Sequence, residues 1–527
     1  MNTLEIITRQ LIKDKPETRK NLADLKRQAA GKFKLPPPLS ADIFRIYKKL
    51  LQQKKIKRDE RLELLLKKRE VRTISGVAPI AVLTKFYPCP GRCSYCPTEK
   101  NMPKSYLSNE PAVMRAITFN FDPKKQVAGR IKVLEMNGHS TDKLELIVIG
   151  GTWSALPDEY QKRFIQRCFD GANGRKSSSL AAAQKTNETA KHRIIGITLE
   201  TRPDYITPVE IAKMRELGAT RVELGVQTIY NSILQRNRRG HNVAATIRAT
   251  KILKDAGFKI CYHMMPNLPG STLAKDLKMF REIFSSPDFQ PDMIKIYPCV
   301  VTRGSEIYRW WKKGKYKPYP EKQLVELLIN IKKILPPYVR VNRLIRDIPS
   351  PSIVAGNKVS NLREVVTAEM TRRGFTCKCI RCREIGHQRS EKLKVKSVKL
   401  FVKKYASSGG TEYFISFESS DKKILYAFVR LRIPLLSKEG QGVVLPELKD
   451  AALIRELHTY GHLVPIDKKS PGATQHLGLG KKLMAEAENI ARKLKIKKMA
   501  VISGIGVREY YKKLGYEKEG TYMVKSL

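Results

Sequence analysis

Acidic residues are scarce in this chain. Across 527 residues, 50 Asp+Glu face 101 Lys+Arg, a formal charge of +51. An excess of that size repels itself and calls for a polyanionic partner, so nucleic acid is the first candidate and an anionic membrane surface the second. Long hydrophobic runs are absent too, and none approaches the roughly 20 residues of a spanning helix. The opening MNTLEIITRQLIKDKPETRK has no apolar core of signal-peptide type, which predicts a cytoplasmic protein with no membrane part. Solenoid-type repeats are missing as well. What is present is globular. With 42% apolar and 29% charged residues, a disordered polycation is excluded. The length predicts about three domains at roughly 150 residues each.

Nine cysteines are grouped in a way that does not suit a disulfide framework. Six form two tight triplets, Cys89/Cys93/Cys96 and Cys377/Cys379/Cys382; the others are Cys168, Cys261 and Cys299. An odd total with this grouping predicts metal sites in a reducing compartment. Cys168 and Cys261 lie within apolar patterns and are expected in the core. His139, His192 and His241 have no ligand spacing and carry no expected role.

Residues 1–76 hold 21 Lys+Arg against 9 Asp+Glu, a net +12. Apolar and basic positions alternate there at helical spacing, broken by LPPPLS, which reads either as solvated basic helices or as a nucleic-acid-binding arm. From 77 to 345, short apolar runs such as LELIVIGGT, RIIGITLETRPD and MIKIYPCVV alternate with amphipathic helices. These are βα units, forming either a barrel or an open doubly wound sheet. One stretch, GANGRKSSSLAAAQKTNETAKH, reads as a loop and then a helix capped near Ser179. Residues 346–394 form a linker with the second triplet. Residues 395–527 read as antiparallel strands, a Gly-containing turn, a helix, a strand and a further helix: a mixed α/β module.

The first triplet has the spacing C-x3-C-x2-C and follows the strand AVLTKF directly. It therefore sits at a strand's C-terminal end, where βα chemistry collects. Three thiolates on one loop can hold three irons of a 4Fe–4S cluster and leave the fourth open to a small molecule. Zinc is the rival, but no fourth protein ligand follows nearby. The second motif is Gln475-His476-Leu-Gly478-Leu-Gly480 before the helix KKLMAEAENIARKL. Such a turn presents free backbone N–H groups and a positive helix end to a pyrophosphate, although a generic turn is the plainer reading.

The cysteine loop resembles that of the radical S-adenosylmethionine (SAM) enzymes, which implies a partial, TIM-like βα barrel, a 4Fe–4S cluster and bound SAM. On that resemblance Gly150, Gly151 and Thr152 meet the SAM amino group, and Glu200 and Gln227, at later strand ends, face the same site. The C-terminal layout resembles the GNAT acetyltransferases, which implies that Gln475, His476, Gly478 and Gly480 hold acetyl-CoA beside Tyr510 and Tyr511, one of the two tyrosines being core packing. With both in order after a basic helical arm, the chain resembles the Elongator catalytic-subunit family over nearly its whole length.

That resemblance implies an enzyme that places a carboxymethyl group on carbon five of the wobble uridine in a tRNA anticodon stem-loop. A SAM-derived 5′-deoxyadenosyl radical would activate the acetyl methyl of acetyl-CoA, and thioester hydrolysis would follow. It gives Lys85 and Lys295 catalytic positions near SAM and acetyl-CoA, Lys85 also binding acetyl-CoA. It also implies an electron donor, and accessory subunits or a homodimer.

Cys377, Cys379 and Cys382 are expected to bind zinc with Cys299 as the fourth ligand, and His387 competes for that place; free thiols packing as small apolar groups are the alternative. Two rival functions stand beside the main one. One is a GNAT-type protein lysine acetyltransferase with a structural iron–sulfur cluster, and the other is a non-catalytic RNA-binding scaffold.

Overall fold

The computed structural model describes residues 2–67, 73, 75–387, 398–435, 445–460 and 478–527. Four helices open the chain: Thr3–Asp14, Arg19–Gly31, Ser40–Gln52 and Glu60–Leu66. Asn2, Thr18 and Asp59 cap three of them by accepting the backbone N–H groups of Leu4, Asn21 and Leu62. Their apolar stripes meet in a small core of Ile7, Leu11, Leu22, Ile43, Tyr47 and Leu62. Lys13, Lys20, Lys32, Arg45 and Lys48 stay in solvent on the opposite faces.

The next strands are β1 (Ala78–Leu83), β2 (Lys143–Ile149), β3 (Arg193–Thr201), β4 (Arg221–Gln227), β5 (Lys259–Met264), β6 (Met293–Ile296), β7 (Val301–Thr302), β8 (Arg340–Arg343) and β9 (Ile353–Ala355). β7 and β9 pair only with each other. The remaining seven form one all-parallel sheet in strict chain order, and β1 and β8 are its unpaired edges. A doubly wound sheet would reverse its order at the middle, whereas unbroken order with helices between is the barrel pattern. The sheet is a partial βα barrel. The loop-and-helix stretch behaves as read: Gly174 ends Asp158–Asn173 in the left-handed region, and Ser179 caps Leu180–Asn187 by accepting from Ala182 N–H. Cys168 and Cys261 are fully buried.

A second seven-stranded sheet follows: β10 (Val398–Ser407), β11 (Gly410–Ser419), β12 (Leu425–Ile433), β13 (Ala451–Thr459), β14 (Lys498–Val501), β15 (Glu517–Glu519) and β16 (Tyr522–Ser526). Its pairs are antiparallel except β13 with β14. These two run together only from Ala451/Lys498 to Ile454/Val501, and β13 continues to Thr459 paired with β12 but not with β14. The helix Leu479–Lys493 packs across the sheet. This is a GNAT-like α/β module.

Buried charge joins the two sheets. Arg430, Arg432 and Arg455 are each at most 1% exposed. Arg455 bonds Asp292 at 2.5 and 3.0 Å and Glu412 at 2.9 Å. Arg430 bonds Glu456 at 2.9 Å and the Tyr338 carbonyl at 2.7 Å, while Arg432 bonds Asp255 and Glu412. Arg455 is the extra residue of a bulge, since Arg430 faces Glu456 but Leu431 faces Ile454. The bulge turns its side chain out of the ladder and toward the barrel. Backbones also touch directly: a Cβ on Gly504 would lie 2.0 Å from the Ile195 carbonyl oxygen.

Removing one member of a buried ion network leaves its partners charged and unpaired, so Asp292→Leu is expected to cost about 3–5 kcal/mol in urea unfolding. Burial alone would raise the Glu456 carboxyl, but Lys259 and Arg430 outweigh it and hold it at about 2, below its ordinary 4.5. A carboxyl depressed on folding contributes fully above the ordinary value and ceases to contribute as pH falls through the folded one. Glu456→Gln should therefore flatten the loss of stability between pH 4.5 and about 2, read from urea midpoints across that range.

Candidate functional site

Barrel interiors are ordinarily filled by branched apolar side chains. Here most of the inward positions on β1, β2 and β4 are polar or small, Ile147 and Ile149 being the exceptions. Along β4 they are Arg221, Glu223, Gly225 and Gln227; along β2 they are Lys143, Glu145, Ile147 and Ile149; β1 offers Pro79 and Ala81. Period-two alternation puts Val222, Leu224 and Val226 on the opposite face, in the core under the helices. The result is a cavity of about 1370 Å³ that runs from the cysteine loop through the barrel to Gly478, Gly480, Tyr510 and Tyr511.

At one end, Cys89, Cys93 and Cys96 all line this cavity. Arg239 reaches Cys93 Sγ at 3.5 Å and is otherwise held by the Gly225 carbonyl. The Cys96 thiol donating to it, with Arg239 beside it, brings the Cys93 thiol down to about 4 against burial. A Cβ on Gly91 would meet Arg202 at 3.2 Å and the Cys89 and Cys93 sulfurs at 3.6 Å, so the loop wraps closely around its sulfurs. A depressed thiol, two more on the same loop and an adjacent guanidinium suit an anionic iron–sulfur cluster. Gly150 and Gly151 end β2 at φ of +141° and +104°. A Cβ on Gly150 would lie 2.0 Å from Thr84 Oγ1. Gln227 is itself left-handed at φ +69°, and its buried Oε1 has no hydrogen-bond partner among the described residues.

The middle of the cavity carries a row of charges. Glu200 accepts from Tyr106 Oη at 2.9 Å and lies 3.5 Å from Lys295 Nζ. Lys295 is paired closely with Glu223, which His263 Nε2 meets at 2.8 Å. Below them Arg221 bonds Glu145 at 2.5 Å. Burial opposes the Lys295 charge, but Glu223 outweighs it and raises the ammonium above its ordinary value.

At the far end, β13 and β14 splay past Ile454 and Val501, and the cavity enters between them. Gly478, at φ +68°, caps Leu479–Lys493, and a Cβ on Gly480 would come 2.8 Å from Tyr510 Oη. A helix N-terminus with that close approach suits a phosphate group. Tyr510 is half-buried, whereas Tyr511 belongs to the apolar core and meets Tyr510 edge-on at 5.3 Å. Gln475 and His476 lie outside the described residues.

Two expected residues are placed elsewhere. Lys85 is exposed and does not line the cavity; it rests over the rings of Tyr87 and Tyr160 at 5.3 and 5.4 Å. Cys299 is not brought to the second triplet. It lies past the C-terminal end of β6, buried with Cys93, Tyr95 and Tyr316. Cys379 sits at the opposite end of the sheet, where Ile380 N–H bonds the Val339 carbonyl just before β8. The sulfurs of Cys377, Cys379 and Cys382 lie within 4.8 Å of one another, with no fourth Cys, His or carboxylate joining them among the described residues. His387 instead meets Glu384 at 2.9 Å.

Known proteins share this arrangement. Residues 85–283 match the Radical SAM superfamily, and residues 291–372 match the Radical_SAM C-terminal domain. The tRNA uridine(34) acetyltransferase of Methanocaldococcus jannaschii is 51% identical over 475 residues, 88% of this chain and 87% of that protein. Elongator complex protein 3 of Homo sapiens is 40% identical over 552 residues, 100% of this chain and 97% of that protein. The solved archaeal Methanocaldococcus infernus Elp3 with an N-terminus deletion matches with a TM-score of 0.75 at 47% identity, covering 86% of this chain and all of that one. The chain belongs to the Elongator complex protein 3 family. A radical SAM domain of that family carries a 4Fe–4S cluster and SAM, and among the described residues no helix is long and apolar enough to cross a membrane.

Several cavity residues of this family member escape a motif reading: Tyr106, Arg221, Glu223, Arg239 and His263. For Arg221, Glu223 and His263 the signal is a charged or polar residue set at every-second-residue spacing within a strand otherwise apolar enough to be buried, as in RVELGVQ and CYHMM; Tyr106 and Arg239 stand on loops and carry no such signal.

Gly150→Ala should destabilise far more than Gly174→Ala. The second has open space and meets only left-handed strain of about 1–2 kcal/mol, whereas the first also collides with Thr84. Thermal melts of the two variants read the difference.

Proposed function

We propose that this enzyme attaches a carboxymethyl group to carbon five of uridine 34 in tRNA, taking the two carbons from acetyl-CoA. The observation that carries this reading is the single cavity joining the cysteine loop to the splayed strands of the GNAT-like sheet. A lysine acetyltransferase needs only the second end of that cavity. Relatives named tRNA uridine(34) acetyltransferase support the substrate.

Cys89, Cys93 and Cys96 would hold the cluster; Gly150, Gly151, Thr152, Glu200 and Gln227 would hold SAM. When bound, these supply the 5′-deoxyadenosyl radical that activates the acetyl methyl. The chain's own part is to position and to keep water out. The Gly478–Gly480 turn would take the coenzyme A diphosphate, and the gap between β13 and β14 would point the thioester into the barrel, where Tyr510 flanks it. Lys295, paired with Glu200 and Glu223, would set the field around the reacting carbons. Lys85, outside the cavity, would serve the approach of acetyl-CoA rather than its chemistry. Residues 1–76 would form the tRNA-binding arm, 77–345 the radical SAM domain, 346–394 a linker and 395–527 the GNAT domain. The second triplet would bind a zinc ion as a structural clip, its three sulfurs already gathered. An electron donor and accessory subunits or a second copy complete the expected partners, and the cytoplasm is the expected setting.

Anaerobically reconstituted protein given tRNA, SAM, dithionite and acetyl-CoA should yield carboxymethyluridine, detected by mass spectrometry of digested nucleosides, and Cys93→Ala should yield none. A product-free reaction, with Cys93→Ala still acetylating a lysine peptide at full rate, would falsify the reading. Binding of tRNA should weaken steeply with salt, as counterion release requires. Deleting residues 1–76 should lower both the affinity and the slope of that salt dependence; an unchanged slope would remove the arm from the tRNA site.

A further inference from the structure

We propose that His263 is the general base that hydrolyses the thioester of the tRNA-bound adduct, releasing coenzyme A and leaving the carboxymethyl group. This rests on the function proposed above, which attaches an acetyl unit still joined to sulfur and so requires water to break a C–S bond.

The geometry is that of a hydrolytic dyad. His263 stands on β5 opposite Lys295 of β6 and lines the cavity. Its Nε2 lies 2.8 Å from Glu223 Oε2. Glu223 is buried among Lys295, His263 and Arg221, which together keep it ionised, so it accepts the Nε2 proton and leaves the lone pair on Nδ1. Tyr297 packs edge-on to the imidazole at 5.4 Å and fixes its plane. A carboxylate that sets both tautomer and orientation is the supporting half of the triads that activate nucleophiles, and it is recognised by role rather than by sequence.

Position agrees with chemistry. Lys295 ties the dyad to Glu200 on the side of the cysteine loop, and Arg221, two residues down β4, ties it to Glu145 on the side of the GNAT-like sheet. A thioester arriving between β13 and β14 and a base arriving past the cysteine loop would meet beside it. Among the described residues, His139, His192, His241 and His387 do not line the cavity: His139 meets Thr73, His192 meets Thr141, His241 meets the Gly225 carbonyl, and His387 meets Glu384. His458 also lines the cavity, but its Nε2 is taken by the Ser75 carbonyl.

In the step, Nδ1 accepts a proton from water while the water oxygen bonds to the thioester carbonyl carbon. The tetrahedral species then breaks its C–S bond, and the sulfur leaves as a thiol with the proton returned by Nδ1. A carboxylic acid remains and ionises. No electrons enter or leave.

The step can be isolated from radical chemistry. A synthetic anticodon stem-loop bearing a thioester of 5-carboxymethyluridine would be given to the full-length protein, and free thiol followed by a chromogenic disulfide. The unsubstituted protein should hydrolyse it, and His263→Asn should be slower by about 10²–10⁴-fold. His263→Gln, which can still donate to Glu223, should be equally slow, and imidazole should restore part of the rate to His263→Gly. In the complete reaction, His263→Asn should still form 5′-deoxyadenosine and accumulate the coenzyme A adduct on tRNA. Thiol release by both variants within threefold of the parent would overturn the proposal. So would loss of 5′-deoxyadenosine formation without any adduct, since the dyad would then merely support Lys295. Carboxymethyluridine formation by the unsubstituted protein tests the underlying reading separately, so the two failures are told apart.

Discussion

Everything at the centre of this molecule depends on how the barrel and the second sheet are aligned: they share one apolar core, in which Phe414, Phe428, Ile502 and Tyr522 join the barrel residues, and buried ions fix its register. Arg430, Arg432 and Arg455 enter that seam and find Asp292, Asp255, Glu412 and Glu456 there. Apolar faces could slide over one another by a fraction of a residue at little cost. Charged groups in a low-dielectric seam cannot, because each displacement strands a partner. The bulge that turns Arg455 outward also interrupts the pairing of β12 and β13 just where β13 parts from β14. One local irregularity thus supplies both the anchor and the opening, and the opening faces the barrel because the anchor sets the angle.

A hollow barrel is the second requirement, and it is met by pairing. Emptying a barrel of its branched residues would ordinarily collapse it. Here many inward side chains are charged, and Glu145–Arg221 and Glu223–Lys295–Glu200 bridge strands that are not neighbours, reaching across the barrel interior. Paired charges resist closure into an apolar plug, and small residues at Ala81, Gly196 and Gly225 keep the space open. The same row that keeps the passage open is the field in which the chemistry would occur.

What could be read from the amino acids follows from what periodicity encodes. The cysteine spacing, the Gly150–Gly151 turn and the alternation of strands and helices are local facts, and the structure holds them together at one cavity end. Periodicity also says which residues share a face, but not what covers that face. In VRLRI, Arg430 and Arg432 look like the solvent side of a strand, yet the barrel covers them completely. Cys299 illustrates the complementary limit. Its sequence distance from the second triplet is modest, but one strand length separates opposite ends of a parallel sheet, and no spacing rule carries that information. Strand order, by contrast, became decidable only from pairing, since βα alternation fits a barrel and a doubly wound sheet alike.

The charge of the chain divides in the same way. Inside, cations such as Arg430, Arg432 and Arg455 are matched to carboxylates; outside, on the helices before Leu66, Lys and Arg outnumber the Asp and Glu available to pair with them. On the proposed function, phosphates belong on the unmatched exterior, where counterion release supplies affinity without regard to sequence. The passage is basic as well, with Lys and Arg outnumbering Asp and Glu along its lining, so charge alone does not keep a phosphate backbone out of it. Selectivity for a single-stranded nucleotide then comes from shape, since a passage enclosed by the barrel admits one base swung out of an unpaired loop and excludes a duplex.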